Sequence, residues 1–237
     1  DNSAPLPSDT VAVILAGGQA RRMGGGDKTL IELGGKTILQ HILDRLMPQC
    51  EHVIINANGD LDRFTSYGCP VVADQLDGFL GPLAGILAGM DAAAIRYPDK
   101  THILSLAGDT PFIPLDMADR MCSRASPTNI VCANSQGRTH PVFGLWPIAI
   151  RSELRDQLIN HDIRKIDRFT ADYDVQSCVF DGVPDPFFNI NTVEDKEKAY
   201  YFKEDGINFR KSIPNMGTLI TQQNEIISMN LPHYWAD

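Results

Sequence analysis

The chain has 237 residues, 43% of them apolar and 22% charged, a balance typical of a globular protein with one α/β domain or two small ones. Its formal net charge of −9 argues against a general nucleic-acid binder, and no apolar run reaches the ~18 residues of a transmembrane helix. The five cysteines include no CxxC pair, so we expect neither a disulfide framework nor a zinc site, but a cytoplasmic protein in a reducing compartment.

Apolar periodicity predicts alternating strands and helices along most of the chain. Predicted strands lie at 11–15, 53–55, 70–73, 102–107, 129–133, 141–146 and 175–180. Predicted helices lie at 36–47, 82–95, 114–124, 148–160 and from Thr192 onward. The alternation in the first half indicates βαβ units and therefore an α/β fold around a mostly parallel sheet.

A single domain is predicted over residues 10–202, because no linker-like segment interrupts this part of the chain. Residues 1–9 contain two prolines and two serines and are predicted to form a flexible leader. Residues 203–237 are largely polar and are predicted to form a flexible tail, with one short strand around 218–221. A docking segment is the alternative interpretation of this tail.

The first predicted strand leads into a glycine-rich, basic stretch at residues 15–28, with the sequence LAGGQARRMGGGDK. Glycines let backbone N–H groups approach phosphate closely, and Arg21, Arg22 and Lys28 can offset phosphate charge. The stretch is not a P-loop, since Asp27 precedes the lysine, and it contains no GxGxxG dinucleotide motif. It predicts a polyphosphate-binding loop, and an ordinary glycine-rich turn beside a basic patch is the alternative.

Polar residues or glycines follow each of the first four predicted strands. These residues are Gly17 and Gly18, Asn56, Asp74 and Asp109. Open parallel sheets bind ligands beyond the carboxyl ends of their strands, so the four positions predict one ligand site. The alternative is that Asn and Asp end these strands only because they favour turns. Asp109 is the best metal candidate, because Mg²⁺ needs only one or two carboxylates when substrate phosphates supply further oxygens.

Two further motifs stand in the second half of the chain. In the segment 187–192, Asn189 and Asn191 point the same way if the backbone is extended, although an Asn-rich turn that caps a helix is the alternative. His140 directly precedes the strand predicted at 141–146 and, with Arg138 nearby, is a candidate substrate-phosphate contact. A lone histidine is more often structural, and that alternative stays open.

Four of these segments together resemble the molybdenum cofactor guanylyltransferases, over about residues 11–202. The stretch 15–28 resembles the family's signature loop, in which LAGG is followed by RMG and a lysine. Residues 81–85 resemble its GPLAG loop, 187–192 its F-x-N-[IV]-N-T segment, and His140 belongs to its His-Pro pair. The resemblance implies a three-layer Rossmann-like nucleotidyltransferase fold with a mostly parallel central sheet.

The resemblance also implies the site residues. Those implied to bind nucleotide, metal or acceptor are Leu15, Ala16, Gly17, Gly18, Lys28, Asn56, Asp74, Pro82, Leu83, Asp109, His140, Asn189 and Asn191. Those implied to act in catalysis are Asp109 as the Mg²⁺ ligand and Lys28 and Arg22 as cations for the departing pyrophosphate. Gly18 implies room for a purine, since relatives that use CTP tend to carry Ala there.

The implied reaction is the transfer of GMP from GTP to molybdenum-bound molybdopterin, with Mg²⁺ as cofactor and pyrophosphate as the second product. Implied partners are GTP, molybdopterin, and molybdoenzymes or their chaperones, with no nucleic acid and no membrane. Three alternatives remain: a cytidylyltransferase for the same pterin, a sugar-phosphate nucleotidylyltransferase, and a nucleotide-binding regulator without catalysis. An adaptor whose tail docks a molybdoenzyme or chaperone is a fourth.

Overall fold

One mixed sheet forms the centre of the computed structural model, which describes residues 3–17, 26–76, 78, 81–204 and 207–208. Its strands are β1 Thr10–Leu15, β2 His52–Asn56, β3 Val71–Val72, β4 His102–Ala107, β5 Ile130–Ser135, β6 Arg138–Pro147 and β7 Val175–Val179. Their order is β3-β2-β1-β4-β6-β5-β7. Within this sheet every neighbouring pair is parallel except the two pairs made by β6, which runs against both β4 and β5.

Helices cover both faces of the sheet. They are α1 Ile38–Leu46, α2 Pro82–Arg96, α3 Met117–Cys122, α4 Arg151–Asn160, α5 Ile166–Thr170 and α6 Val193–Tyr201. Along β1, Ala12 and Ile14 enter the core shared with α1, α3 and α6, whereas Val11 and Val13 enter the core shared with α2, α4 and α5. Side chains that alternate along a strand point to opposite faces, so the two cores lie on either side of the sheet. The predicted three-layer α/β fold with a mostly parallel sheet is confirmed.

Shorter elements complete the described part of the chain. The 3-10 turns are Pro7–Asp9, Lys28–Leu30, Leu61–Tyr67 and Ile148–Ile150, and two small antiparallel ladders join Glu32–Leu33 to Lys36–Thr37 and Lys203–Glu204 to Ile207–Asn208. The first turn falls in the predicted leader, where the Asp9 carbonyl accepts a hydrogen bond from the Thr101 N–H at 2.9 Å. The domain limits at residues 10 and 202 and the two flexible termini stay predictions, and the strand around 218–221 lies outside the described residues.

Side chains from α1 and from the turn that follows it explain why α3 is shorter than the helix predicted at 114–124. The Arg45 Nε donates to the Ile113 carbonyl at 2.5 Å, and the Gln49 amide donates to the Pro114 carbonyl at 2.8 Å. Because these carbonyls are satisfied by side chains from a distant part of the chain, the chain need not be helical before Met117. Long-range capping of this kind leaves no local pattern in the sequence.

The helix predicted at 148–160 begins as a 3-10 turn and becomes α-helical only at Arg151. Leu154 and Leu158 are buried as expected, but Ile159, which was expected on the same packed side, is 50% exposed. Among the described residues, no helix combines the length and the apolar character that a membrane crossing requires.

Candidate active site

A cavity of about 380 Å³ lies beyond the carboxyl ends of β1, β2, β3 and β4. Its lining residues are Leu15, Ala16, Gly17, Lys28, Thr29, Asn56, Asn58, Asp74, Gly81, Pro82, Gly85, Ala107, Gly108, Asp109 and Val142. Leu15 pairs with Asn56 on one side and with Ala107 on the other, so the three strands end at one level. We call this space the first cavity.

Asn56, Asn58 and Asp74 form a hydrogen-bonded group at one end of the first cavity. The Asn56 Nδ2 donates to the Asp74 Oδ1 at 2.9 Å, and the Asn58 Nδ2 donates to the Asp74 Oδ2 at 2.9 Å. The Asp74 N–H returns a hydrogen bond to the Asn58 Oδ1, also at 2.9 Å. Sequence reasoning missed Asn58, although its spacing of two from Asn56 places both side chains on one face of an extended chain.

Gly85, on the first turn of α2, lets this helix approach Asn56. A Cβ atom at Gly85 would lie 2.3 Å from the Asn56 Oδ1 and 2.9 Å from a methyl carbon of Leu15. Both distances are shorter than atoms can tolerate, so a side chain here would displace Asn56 from Asp74. The predicted GPLAG loop therefore contributes close backbone approach as well as the Pro82 ring to this end of the cavity.

Lys28 and Asp109 face each other at the other end of the first cavity. The Lys28 Nζ lies 3.7 Å from the Asp109 Oδ2 and also donates a hydrogen bond to the Asn191 Oδ1. Burial raises the pKa of the Asp109 carboxyl above its usual range, and the nearby Lys28 ammonium opposes that shift. The site thus holds one cation and one partly desolvated carboxylate in contact.

Asn191 reaches Lys28 because α6 is capped immediately after it. The Thr192 Oγ1 accepts from the Asp195 N–H at 3.1 Å, and the Asp195 Oδ2 accepts from the N–H groups of Asn191 and Thr192 at 3.0 Å each. The Ile190 N–H donates to the Asp109 carbonyl at 2.9 Å and fixes the segment to the end of β4. A capping box of this form is visible in the sequence, whereas its contact with Lys28 is not.

The Asp109 carboxylate fits the requirements of a magnesium ligand. Its side chain is 19% exposed and borders open space, while the Thr110 hydroxyl donates to its Oδ1 at 3.3 Å. Within the described ranges, no three His, Cys, Asp or Glu side chains gather into a metal site of their own. Mg²⁺ at this position would therefore depend on Asp109 together with substrate phosphate oxygens and water, a ligand set that Mg²⁺ accepts.

A second cavity, of about 480 Å³, adjoins the first. Its lining residues are Ala107, Asp109, Thr110, Arg138, Thr139, His140, Pro141, Val142, Phe143, Asp185, Phe187, Phe188 and Asn189. Ala107, Asp109 and Val142 line both cavities, so Asp109 lies between them. Aromatic rings, an arginine and a histidine make this second cavity suitable for a ligand with both a flat ring system and a negative charge.

His140 is held in one orientation inside the second cavity. The buried Ser135 hydroxyl donates to the Asp185 Oδ1 at 2.7 Å, so its 2.8 Å contact with the His140 Nε2 is one in which the ring N–H donates. The neutral ring then carries its lone pair on Nδ1. Burial lowers the pKa of His140; Asp185 opposes this shift, while Arg138 adds to it.

The sequence-predicted site residues divide into four groups: those that line the first cavity, those that line the second, those that line neither, and those outside the described residues. Those that line the first cavity are Leu15, Ala16, Gly17, Lys28, Asn56, Asp74, Pro82 and Asp109, and those at the second are His140, Asn189 and again Asp109. Asn191 and Leu83 line neither cavity: Asn191 contacts Lys28, and Leu83, on the first turn of α2, is 1% exposed and packs in the core. Gly18, Arg21 and Arg22 lie outside the described residues.

A cavity beyond the carboxyl ends of a mostly parallel sheet, bordered by glycine and by the Lys28–Asp109 pair, is typical of α/β proteins that bind ligands at this edge, nucleotide-binding proteins among them. Residues 12–175 match the family model described as MobA-like NTP transferase domain. The chain therefore belongs to the MobA-like NTP transferase family and is a nucleotidyltransferase.

Similar proteins agree with this assignment along most of the chain. A protein of Bradyrhizobium sp. named molybdenum cofactor guanylyltransferase is 50% identical over 198 residues, which are 81% of this chain and 93% of that protein. One of the same name from Rhodopseudomonas palustris is 49% identical, over 80% of this chain and 92% of its own. The crystal structure of molybdopterin-guanine dinucleotide biosynthesis protein A from Archaeoglobus fulgidus shares the fold, with 23% identity, a TM-score of 0.61, and coverage of 79% and 95%. The resemblance inferred from sequence is confirmed.

Gly85→Ala is expected to weaken nucleotide binding about tenfold, because it breaks the Asn56–Asp74 hydrogen bond at one end of the first cavity. Gly89→Ala is the matched control on the same helix, where a Cβ would lie 2.6 Å from Val13 in the core. Overpacking costs about 1–3 kcal/mol, so both variants lower the free energy of unfolding in urea. Calorimetric titration should separate them, and equal nucleotide affinities in the two variants would contradict this account of Gly85.

His140 is expected to titrate below its ordinary pKa of 6.5, and Asp185→Asn is expected to lower that pKa further by removing a carboxylate that favours the imidazolium. Because the folded-state pKa is the lower one, the unfolded chain takes up the proton first as pH falls. The contribution of His140 to stability is therefore complete above pH 6.5 and is lost below it. NMR titration of the ring tests the prediction, which a midpoint above 6.5 would refute.

Proposed function

We propose that this nucleotidyltransferase transfers GMP from GTP to the terminal phosphate of molybdenum-bound molybdopterin and releases pyrophosphate. The observation that carries the proposal is the pair of adjoining cavities with Asp109 between them. A reaction that joins two substrates needs two neighbouring sites and a shared point where charge is offset. The names of the relatives support guanylate as the group transferred and molybdopterin as the acceptor.

GTP is assigned to the first cavity, with its phosphates toward Lys28 and Asp109 and its nucleoside toward Asn56 and Asp74. The chain has a formal net charge of −9, so a bound triphosphate needs a local positive charge. The Lys28 ammonium supplies one. Arg22 is expected to add a second cation from the part of the loop outside the described residues. The amides and the carboxylate at the other end are suited to hydrogen bonds with a base and a ribose.

The acceptor is assigned to the second cavity. Phe143, Phe187 and Phe188 line it, and the partly buried Phe188 ring offers aromatic surface for a pterin, while Arg138 and the His140 Nδ1 supply polar contacts for its phosphate and ring atoms. Asn189 lines the same cavity, and we expect its side chain to bind the acceptor phosphate and orient it toward Asp109.

The chain does not need a strong general base for this chemistry. The acceptor phosphate is itself the nucleophile and is ionised near neutral pH, so the protein must position two polyanions and offset their charge. Lys28 meets the departing pyrophosphate, and Asn191 orients the Lys28 ammonium toward it. A Mg²⁺ ion held by Asp109 would supply additional positive charge to the phosphate oxygens. A cytoplasmic location and delivery of the product to molybdoenzymes or their chaperones stay predictions.

Pyrophosphate release should test the proposal, with Mg²⁺, molybdenum-loaded molybdopterin, and GTP, CTP or ATP offered separately. Release with GTP alone, dependent on the acceptor, is the expected result. Release with CTP alone would keep the transfer reaction but make the chain a cytidylyltransferase. Release with sugar phosphates and not with the pterin would reassign the acceptor, and GTP binding without any release would indicate a regulator.

Asp109→Asn is expected to reduce the rate of pyrophosphate release by about a hundredfold or more, because it removes the carboxylate that lies between the two cavities. The fold should be kept, since the amide has nearly the same shape. Asp91→Asn is the control: Asp91 is a buried carboxylate paired with Arg155, and it lines neither cavity. A rate near that of the parent protein for Asp109→Asn would exclude Asp109 as the metal ligand.

A further inference from the structure

Asp27, directly before Lys28, forms an ion pair with Arg63 that is held by two hydrogen bonds. The Arg63 Nε donates to the Asp27 Oδ2 at 2.5 Å, and the Nη2 donates to the Asp27 Oδ1 at 3.2 Å. The side chains are largely buried, with 23% of Arg63 and 19% of Asp27 exposed. Paired N–H groups on a carboxylate give fixed direction as well as attraction, so this contact restrains the position of the loop next to Lys28.

The same guanidinium also holds the loop that follows β2. The Arg63 Nη2 donates to the Asn58 carbonyl at 3.0 Å, and its Nη1 donates to the Asp60 carbonyl. The Asn58 side chain in turn exchanges two hydrogen bonds with Asp74, at the opposite end of the first cavity from Lys28. A continuous path of hydrogen bonds therefore joins the residue before Lys28 to Asp74.

Arg63 is itself fixed to the body of the protein. It lies on the 3-10 turn Leu61–Tyr67, and the adjacent Phe64 is fully buried in the core that contains α1. The Tyr67 hydroxyl at the end of the turn contacts the Thr37 Oγ1 at 2.8 Å. The turn is thus a rigid support, and neither Arg63 nor Asp27 lines either cavity.

We propose that Arg63, through its pair with Asp27, is a positioning residue that holds the two ends of the first cavity at the separation one nucleoside triphosphate requires. The inference rests on the proposed function, in which the phosphates lie at Lys28 and the nucleoside lies at Asp74. A ligand that touches both ends gains affinity from having its two parts joined, provided that the two ends stand at the right distance. Breaking the Asp27–Arg63 contact changes the distance between the two ends of the cavity but removes no contact with the ligand.

The signs of two single substitutions separate positioning from simple electrostatics. If only charge mattered, Arg63→Gln would weaken GTP binding and Asp27→Asn would strengthen it, since one removes a positive charge and the other a negative charge. Positioning predicts that both variants weaken GTP binding, by about tenfold each, because each breaks the same contact. The double variant should lose no more GTP affinity than the single variant with the larger loss, because both substitutions remove the same interaction.

Calorimetric titration of GTP and of guanosine, with Mg²⁺ and without acceptor, tests this inference. Guanosine touches only the Asp74 end, so its affinity should stay within about twofold in all variants while GTP affinity falls. Arg63→Lys, which keeps the charge but not the two-bond geometry, should recover only part of the loss. Arg155→Gln is the matched control, because it breaks an Arg–Asp contact of the same 2.5 Å length between α4 and α2, and should leave GTP affinity unchanged.

Each outcome decides for or against positioning. Unchanged or tighter GTP binding by Asp27→Asn would overturn it, as would equal losses in Arg155→Gln or losses that multiply in the double variant. If Arg63→Gln does not fold, as judged by circular dichroism, Asp27→Asn and Arg63→Lys still give the answer. Failure of the unsubstituted protein to bind GTP would instead refute the proposed function, and the inference with it.

Discussion

Parallel pairing of β1 with β2 and β4 is the constraint on which the site depends. Leu15 stands opposite Asn56 and Ala107 at once, so three strands deliver the chain to one edge of the sheet at one level. The residues at the ends of these strands must then share a small volume. They supply the glycine backbone after β1, the Asn56 amide of β2 and the Asp109 carboxylate after β4. The first cavity is thus a consequence of strand register, and the helices on both faces fix that register by burying every residue from Val11 to Ile14.

The reversed strand β6 extends this edge into a second cavity. Because β6 runs against β4, its first residues, Arg138 to Val142, lie at the edge where β4 ends, next to Asp109. β5 is parallel to β4 and ends at the same edge with Ser135, whose hydroxyl connects His140 to Asp185. A sheet of parallel strands alone would have left this position to a loop. One antiparallel strand therefore places a histidine and an arginine beside the carboxylate that borders the first cavity.

Local signals in the sequence predicted the strands, the mostly parallel sheet and the polar residues at the strand ends, because apolar runs and the residues that end them lie next to each other in the chain. The three-layer arrangement and residues such as Pro82 came from the resemblance to the family. Long-range contacts could not be read in this way. Arg63 meets Asp27 across 36 positions and Ser135 meets Asp185 across 50, and neither pair follows a periodic pattern. Leu83 stays a predicted binding residue, although its side chain lies in the core and lines neither cavity.

In the proposed reaction the two substrates occupy separate cavities that meet at Asp109. A crystal structure with GTP and Mg²⁺, without acceptor, tests it most directly. We expect a triphosphate at Lys28 and Asp109, a nucleoside at Asn56 and Asp74, and a second cavity free of nucleotide. A nucleotide bound among Arg138, His140 and Phe187, or one with its base at Lys28, would contradict it.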